Sequence, residues 1–198
     1  MPKLIHRDAI MVDIDGVLAD FEAKFCEDFG YDNRDEYNFY KRYPFLDPGL
    51  ITEYVSDPEN YKDLLPIFGG ALFCQEAKSR GYYVLLVTSR DTKLREATKA
   101  WLSQYNIQYN ELGFSKNKEE FIRDFEKINA NLKVTMVVDD SVSSFAGMVG
   151  RTCFVWEQRW NQGYYPRISY DYVNFRLVGK SSKEDRWHWI WSKDENKF

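Results

Sequence analysis

The sequence contains little of what histidine-based or thiolate-based chemistry requires. Its 198 residues include two histidines, His6 and His188, near opposite ends of the chain, and three cysteines without CxxC spacing. A zinc site or a Ser-His-Asp triad therefore has too few ligands or bases. An odd number of scattered cysteines, Cys26, Cys74 and Cys153, predicts core thiols rather than a disulfide framework. Any catalytic chemistry must be carried by carboxylates.

Long apolar runs are also missing. The longest lies within residues 82–88, and charges interrupt every stretch that approaches the length of a membrane span. Near the N-terminus, Asp8 and Asp13 break the apolar run that a signal peptide needs. We therefore expect a cytoplasmic protein without membrane contact. The net charge of -4 argues against an extended nucleic-acid surface but leaves room for a local phosphate pocket.

Apolar strands alternate with amphipathic helices along most of the chain. Residues 9–14 predict a buried strand, and Phe21, Phe25 and Phe29 recur every four residues before Gly30, which is typical of a helix with a glycine stop. Further helices are predicted at about 71–80, 92–104 and 121–128, and further strands at 82–87, 111–114, 134–138 and 151–155. This alternation predicts a three-layer α/β domain with a parallel sheet, whose ligands bind beyond the C-terminal ends of the strands.

The segment from residue 31 to about 66 interrupts this alternation. It mixes aromatic and charged residues with four prolines and has no long clean period. We predict a helical cap over residues 22–66, inserted into a core domain made of residues 1–21 and 67–198. A lid in this place can close over a substrate and exclude water. At the C-terminal end, alternating tryptophans favour an added edge strand or a homodimer contact: Trp187, Trp189 and Trp191.

Polar side chains follow four of the predicted strands. In chain order they are Asp13 and Asp15, Thr88 and Ser89, a lysine at 116 or 118, and Asp139 and Asp140. Two carboxylates after a buried strand repel each other unless a cation holds them. Hard oxygen ligands without a nearby histidine or cysteine suit Mg²⁺. The pattern therefore predicts a magnesium site at this edge of the sheet.

The same residues meet the needs of phosphoryl transfer, which are an in-line nucleophile, neutralised phosphoryl charge and a proton donor. We predict that Asp13 attacks phosphorus and forms an aspartyl phosphate. Asp15 would protonate the leaving oxygen and then deprotonate the hydrolytic water, while Gly16 allows the tight turn. The Thr88 hydroxyl and backbone amides near Ser89 would bind phosphoryl oxygens, helped by the start of the next helix. A lysine would add positive charge.

The order and spacing of these residues resemble the haloacid dehalogenase superfamily of phosphatases. The run Asp13-Ile14-Asp15-Gly16-Val17 is similar to the first motif of that family, and Thr88 to the second. A lysine before a helix is similar to the third motif, and Val138-Asp139-Asp140 to the fourth. The resemblance covers roughly residues 9–155 and implies an aspartyl-phosphate mechanism on an α/β core.

The resemblance also implies how the metal is held. Mg²⁺ would be bound by the carboxylate of Asp13, the main-chain carbonyl of Asp15 and the carboxylate of Asp140. Asp139 would be a supporting neighbour or a water-mediated ligand. The lysine of the third motif is either Lys118, which directly precedes the amphipathic run 119–125 and is preferred, or Lys116.

A narrower resemblance concerns the substrate. The run Asp15-Gly16-Val17-Leu18-Ala19-Asp20-Phe21 resembles the 5'(3')-deoxyribonucleotidases, and so do residues 65–71 and 156–161. This implies a nucleoside monophosphate substrate, with Phe21 facing the base. Aromatic side chains stack on nucleobases, although Phe21 also begins an apolar stripe that is typical of core packing.

Two arginines each have two predicted roles. Arg90 follows Ser89, where that branch has small or proline residues, and it is predicted either to contact the substrate phosphate bidentately or to flank a helix. Arg42, in the predicted cap, either approaches a phosphate or a base edge or, as we expect, faces solvent, because unpaired charges are seldom buried.

Other functions fit the pattern less well. A phosphatase of polynucleotide 3'-phosphate ends would need an open basic groove, and a small sugar phosphate is a further possible substrate. A receiver-like phosphoacceptor module carries its acidic pair first, whereas Asp139 and Asp140 come last here. The presence of both Asp13 and Asp15 argues against a binding protein that kept the fold but lost catalytic activity.

Overall fold

A seven-stranded sheet forms the centre of the protein. The structure, a computed structural model, describes residues 7–31, 35–164, 167–170 and 175–178. The strands are β1 Arg7–Val12, β2 Tyr83–Thr88, β3 Glu111–Phe114, β4 Leu132–Asp139, β5 Thr152–Trp156, β6 Arg167–Tyr170 and β7 Phe175–Val178. Their order in the sheet is β3-β2-β1-β4-β5-β6-β7; β1 to β6 are parallel and β7 is antiparallel to β6. The predicted parallel α/β sheet is confirmed, and β6 and β7 extend it.

The central strands are buried on both faces. In β1, Ile10 and Val12 belong to one apolar cluster and Ala9 and Met11 to another, and all four side chains are inaccessible to solvent. Successive side chains of a strand point to opposite faces, so the two clusters lie on opposite sides of the sheet. Parallel sheets with both faces covered read as continuous apolar runs, which is the reason these strands were recognisable. The domain is therefore three-layered.

The described residues form six α-helices. They are α1 Phe21–Phe29, α2 Phe39–Arg42, α3 Pro48–Tyr54, α4 Gly70–Ser79, α5 Arg95–Gln104 and α6 Lys118–Ile128. Helix α1 begins where the Asp20 side chain accepts a hydrogen bond from the amide of Ala23, and it ends at Gly30, whose φ of 69° is left-handed. Both ends agree with the predicted helix. No described helix has the length and apolar character that a membrane span requires.

A helical insertion follows the first motif, as predicted. It contains α1, α2, α3 and a 3-10 turn, Pro58–Tyr61. The two passages of the chain between sheet and insertion are bonded to each other: the Asp20 amide donates to the Leu65 carbonyl at 2.9 Å, and the Ile67 amide donates to the Leu18 carbonyl at 2.7 Å. The division into a cap of residues 22–66 and a core of the remainder stays our proposal.

The expectation that Arg42 faces solvent is wrong. Arg42 is 1% exposed, its guanidinium forms an ion pair with the carboxylate of Glu22, and it also donates to the carbonyl of Glu36. It lies 5.0 Å from the ring centroid of Phe39. A buried charge is tolerated when it is paired and hydrogen-bonded. The partner Glu22 is distant in the sequence, so the pairing was not visible there.

The cysteines behave largely as predicted. Cys26 and Cys74 are buried free thiols, whereas Cys153 is only half-buried. Trp187, Trp189 and Trp191, for which an edge strand or a homodimer contact was predicted, lie outside the described residues. The two histidines, His6 and His188, lie outside them as well.

Candidate active site

The sequence-predicted site residues meet at the C-terminal edge of the sheet. Strand β1 lies between β2 and β4, because the chain builds β2 and β3 on one side of β1 and then crosses to β4 on the other. Such a switch point creates a crevice beyond the strand ends. Asp13 follows β1, Thr88 ends β2, and Asp139 ends β4 with Asp140 directly after it. The Asp13 amide donates to the Val138 carbonyl at 3.0 Å, which joins the two acidic loops.

Three carboxylates and one lysine form the floor of this crevice. One oxygen each from Asp13, Asp139 and Asp140 lies within 4.8 Å of the other two, and all three residues are buried. The Lys118 ammonium lies 2.7 Å from Asp13 Oδ2 and 2.7 Å from Asp139 Oδ2. Of the two candidate lysines, Lys118 is the one that contacts Asp13. Lys116 is exposed and lines the mouth of the crevice.

Burial controls the electrostatics of this floor. It raises the pKa of Asp13 to about 7, and the Lys118 ammonium opposes that rise. Burial, with repulsion from Asp139 and Asp13, also raises the pKa of Asp140 well above its usual range. For Lys118, burial lowers the pKa but attraction to Asp13 and Asp139 raises it more, so the net shift is upward and the side chain stays cationic. One lysine does not balance three ionised carboxylates, and the raised pKa values reflect negative charge that a proton or a metal ion can neutralise.

The donor set fits Mg²⁺. It consists of carboxylate oxygens, which are the hard ligands that this ion prefers. Asp139 accepts hydrogen bonds from Lys118 at one oxygen and from the Ser141 amide, at 2.9 Å, at the other. Asp13 is bonded in the same way, to the Ile14 amide at 2.7 Å and to Lys118 at 2.7 Å. The assignment of Asp13 and Asp140 as the carboxylate ligands stays a prediction.

Gly16 allows the loop after β1 to lie close to Asp140 in the loop after β4. Its φ is +79°, and a Cβ atom there would lie 2.5 Å from Cγ of Asp140. Only glycine adopts this conformation easily and leaves room for the carboxylate. The turn of the first motif is therefore shaped around Asp140.

The Asp15 side chain points away from the carboxylate cluster. It accepts two hydrogen bonds from Arg90, from Nε at 2.8 Å and from Nη2 at 2.6 Å. The Arg90 guanidinium also donates to Thr98 Oγ1 at 3.0 Å and lies 4.4 Å from the ring centroid of Tyr61. Arg90 is 8% exposed, so it is not a solvated helix-flanking charge, and it lines the crevice; its contact with a substrate phosphate stays a prediction. Its partner in this structure is the predicted acid-base residue.

Thr88 and Ser89 line the crevice beside Asp13. The Thr88 hydroxyl oxygen accepts a hydrogen bond from the Arg90 amide at 3.2 Å, and its own hydrogen can still be donated to a phosphoryl oxygen. The helix predicted at about 92–104 begins with a 3-10 turn at Thr92 and continues as α5 from Arg95, so its α-helical part starts six residues after Ser89. Help from a helix N-terminus is therefore weaker than the sequence suggested.

A cavity of about 500 Å³ lies over this floor, within the size range of small-ligand sites. The insertion supplies its far wall. Phe21 belongs to that wall but is 4% exposed, and its ring stacks on Tyr61 with 5.1 Å between centroids. Little of the Phe21 side chain is therefore accessible to a base, and its predicted contact with one stays a prediction. Tyr37 and Tyr40 also line the cavity and are about half exposed, at 48% and 51%.

Contacts from the loop after β5 were not predicted. The indole N–H of Trp160 donates to Asp140 Oδ2 at 3.1 Å, and the Asn161 side chain donates to the Asp140 carbonyl at 2.9 Å. The one sequence signal for this loop was the resemblance of residues 156–161 to nucleotidases, which did not say what the loop contacts.

Comparison with known proteins identifies the fold. No protein-family model and no curated protein sequence matches the chain. Among solved structures it is similar to a predicted phosphatase from Clostridium acetobutylicum, with a TM-score of 0.53 and 14% identity over 76% of this chain and 84% of that one. A dehalogenase gives a TM-score of 0.53 and 14% identity over 80% of this chain and 87% of that one.

A third similar structure comes from a larger protein. A chain of the Pnkp1/Rnl/Hen1 complex matches 77% of this chain with a TM-score of 0.51 and 20% identity. The present chain spans about half, 47%, of that chain's length. These identities establish architecture and nothing finer. The chain therefore shares its three-layer α/β fold with these structures, and it carries a helical insertion after β1.

Proposed function

We propose that the chain is a magnesium-dependent phosphomonoesterase that forms an aspartyl phosphate on Asp13. The observation that carries the proposal is the position of Asp13. It is buried at the end of the central strand, paired with Lys118, beside Asp140, and on the floor of a cavity of ligand size. Few other reactions use a buried carboxylate together with a fixed cation at a site of this kind.

The reaction follows from these residues. An oxygen of Asp13 attacks phosphorus, the new P–O bond forms as the ester P–O bond breaks, and Asp15 gives a proton to the leaving alkoxide. Asp15 then takes a proton from water, whose oxygen attacks the phosphorus of the aspartyl phosphate. Inorganic phosphate leaves and the Asp13 carboxylate is restored. Mg²⁺ held by Asp13, Asp140 and the Asp15 carbonyl would neutralise phosphoryl charge when bound.

Lys118 and Thr88 would hold the phosphoryl group during both steps. The Lys118 ammonium already lies 2.7 Å from the attacking residue and stays charged, so it can stabilise the equatorial oxygens without moving. The Thr88 hydroxyl lines the same cavity. Both groups are rigidly placed because each residue is buried, Lys118 at 5% and Thr88 at 1% exposure.

For the substrate, we propose a nucleoside 5'-monophosphate. The cavity has room for a small phosphate ester, and the exposed rings of Tyr37 and Tyr40 on its wall can contact a base. A polynucleotide 3'-phosphate end is the second candidate, and it is compatible with the likeness to a Pnkp1 complex chain. A sugar phosphate would leave the aromatic wall without a partner.

The first experiment measures phosphate release from nucleoside 5'-monophosphates with Mg²⁺, with excess chelator, and with Asp13→Asn. We expect many turnovers for the wild type and none in the other two cases. Asp124→Asn is the matched control, since Asp124 pairs with Lys127 on the surface of α6. Activity that survives Asp13→Asn would contradict the mechanism. Release of no more than one equivalent of phosphate would indicate a phosphoacceptor module instead.

A second experiment addresses the substrate alone. It compares kcat/KM for deoxynucleoside 5'- and 3'-monophosphates, ribonucleotides, sugar phosphates and 3'-phosphorylated oligonucleotides. We expect the 5'-mononucleotides to exceed the other classes by at least tenfold. A preference for 3'-phosphorylated oligonucleotides would select the polynucleotide-end function, and equal rates throughout would remove the nucleotidase proposal.

A further inference from the structure

The loop after β5 holds both acidic loops of the site. Its residues 158–161 include a 3-10 turn, Arg159–Asn161. The Gln158 side chain donates to the Gly16 carbonyl at 2.8 Å, and the Asn161 side chain donates to the carbonyls of Asp140, at 2.9 Å, and Trp156, at 2.8 Å. Asn161 is 2% exposed, so these bonds are shielded from water. The loop therefore fixes the backbone at two points next to the proposed metal ligands.

Trp160 adds a contact to a ligand side chain itself. Its indole N–H donates to Asp140 Oδ2 at 3.1 Å. The same oxygen faces Gly16, where an added Cβ would lie only 2.6 Å from it. Asp140 is thus confined by a backbone turn and oriented by a hydrogen bond. An indole N–H can only donate, so Asp140 Oδ2 is the acceptor of this bond.

We infer that Trp160 is a positioning residue that orients the Asp140 carboxylate for Mg²⁺. The inference rests on the proposed function, because it assumes that Asp140 binds the metal. Hydrogen-bond partners of ligands in metal sites fix ligand orientation, and their removal typically weakens metal affinity by about 10- to 100-fold. Trp160 does not contact the reacting atoms and acts through Asp140.

Trp160 also connects this ligand to the insertion. Its ring lies 6.3 Å from the ring of Tyr37 and 5.9 Å from the guanidinium of Arg42, both centroid distances. The neighbouring Arg159 forms an ion pair with Asp35 at 3.0 Å. The part of the insertion that lines the cavity therefore packs against Trp160, the residue proposed to orient Asp140.

The test compares the Mg²⁺ dissociation constants of three forms by calorimetric titration at pH 8. Trp160→Phe keeps an aromatic ring but loses the donor. Trp160→His keeps a donor, because Nε2 of histidine is as many bonds from Cβ as the indole Nε1. Trp101→Phe is the control; the Trp101 indole donates to the Leu64 carbonyl, away from the carboxylate cluster. Circular dichroism and thermal melting show whether each variant is folded.

We expect Trp160→Phe to weaken Mg²⁺ binding roughly tenfold, and Trp160→His and Trp101→Phe to stay within about threefold of the wild type. At saturating Mg²⁺, kcat of Trp160→Phe should recover most of the wild-type value. Unchanged affinity in Trp160→Phe would overturn the inference while leaving the phosphatase proposal intact. Equal weakening in the Phe and His variants would assign the effect to ring packing and overturn it as well. If the wild type binds no Mg²⁺, the proposed function fails and this inference fails with it.

Discussion

The guanidinium of Arg90 holds the carboxylate of Asp15 by two hydrogen bonds, at 2.8 Å and 2.6 Å. Arg90 is itself fixed by Thr98 and Tyr61, so the pair has one geometry. Bidentate arginine–carboxylate pairs combine attraction with directional control. The proposed acid-base residue is therefore positioned by a buried arginine 75 residues later in the chain.

The first prediction tests that arrangement. Arg90→Lys keeps the charge but cannot form the bidentate pair, so we expect kcat to fall roughly 10- to 100-fold through misplacement of Asp15. Steady-state kinetics with a nucleoside 5'-monophosphate would measure this. The control is Arg123→Lys, because Arg123 forms only a surface pair with Glu119. A kcat unchanged by Arg90→Lys would show that the pair has no part in catalysis.

The second prediction separates acid-base chemistry from metal binding. The Asp15 carboxylate lies outside the cluster formed by Asp13, Asp139 and Asp140, and its proposed metal contact is the main-chain carbonyl. We expect Asp15→Asn to lower kcat by roughly 100-fold or more while Mg²⁺ affinity stays within about threefold. Calorimetric titration and phosphate release measure the two quantities. Loss of Mg²⁺ binding in this variant would assign the carboxylate itself to the metal.

The third prediction concerns the buried lysine. Lys118→Met leaves Asp13 and Asp139 without their cation, and removal of one partner from a buried ion pair costs about 3 kcal/mol of stability. We expect a decrease of that size in the free energy of unfolding, measured in urea without Mg²⁺, together with loss of phosphate release.

Two other lysines give graded comparisons for this variant. Lys127→Met, on the exposed side of α6, should change stability by less than about 0.5 kcal/mol and leave activity unchanged. Lys116→Met, at the mouth of the cavity, should reduce kcat/KM by less than about tenfold because long-range attraction of the phosphate is weakened. A larger loss from Lys116→Met than from Lys118→Met would exchange their roles.

The fourth prediction uses two glycines with the same backbone strain. Gly16 and Gly30 have φ of +79° and +69°, but an added Cβ meets Asp140 at Gly16 and nothing within 4 Å at Gly30. Gly30→Ala should therefore cost only the left-handed strain, about 1 kcal/mol. Gly16→Ala should in addition displace Asp140 and abolish activity. Equal behaviour of the two variants would show that the close approach has no functional consequence.

Much of the fold was predictable because an element that packs against the core carries an apolar pattern with the period of its own backbone, whichever residues cover it. Helix α1 has the predicted bounds, and β3 agrees residue for residue. Errors lie at the ends. Ile128 was included in the apolar face of the last helix but is 82% exposed, since it occupies the final position of α6, beyond the reach of the sheet. The apolar period of a sequence does not show at which residue a helix stops packing against the core.

The site was only partly predictable for a related reason. Strand ends and acidic pairs placed Asp13, Thr88 and Asp140 at one edge, since parallel strands converge there. The partners of Arg90 and Arg42 could not be inferred, because each depends on which distant side chains the fold brings within hydrogen-bond distance. The hydrogen bond from Trp160 to Asp140 could not be inferred from the sequence for the same reason.

The paired passages between sheet and insertion have a mechanical consequence. Backbone hydrogen bonds join Asp20 to Leu65 and Leu18 to Ile67. The two stretches of chain that connect the insertion to the sheet therefore cannot bend independently. Two flexible tethers would allow the insertion to twist and slide over the cavity. Two connections that are hydrogen-bonded to each other move together as a two-stranded ribbon, and such a ribbon bends most easily about a single axis. We therefore expect any opening of the cavity to be a swing of the insertion about one axis, which would separate the rings of Tyr37 and Trp160 from each other.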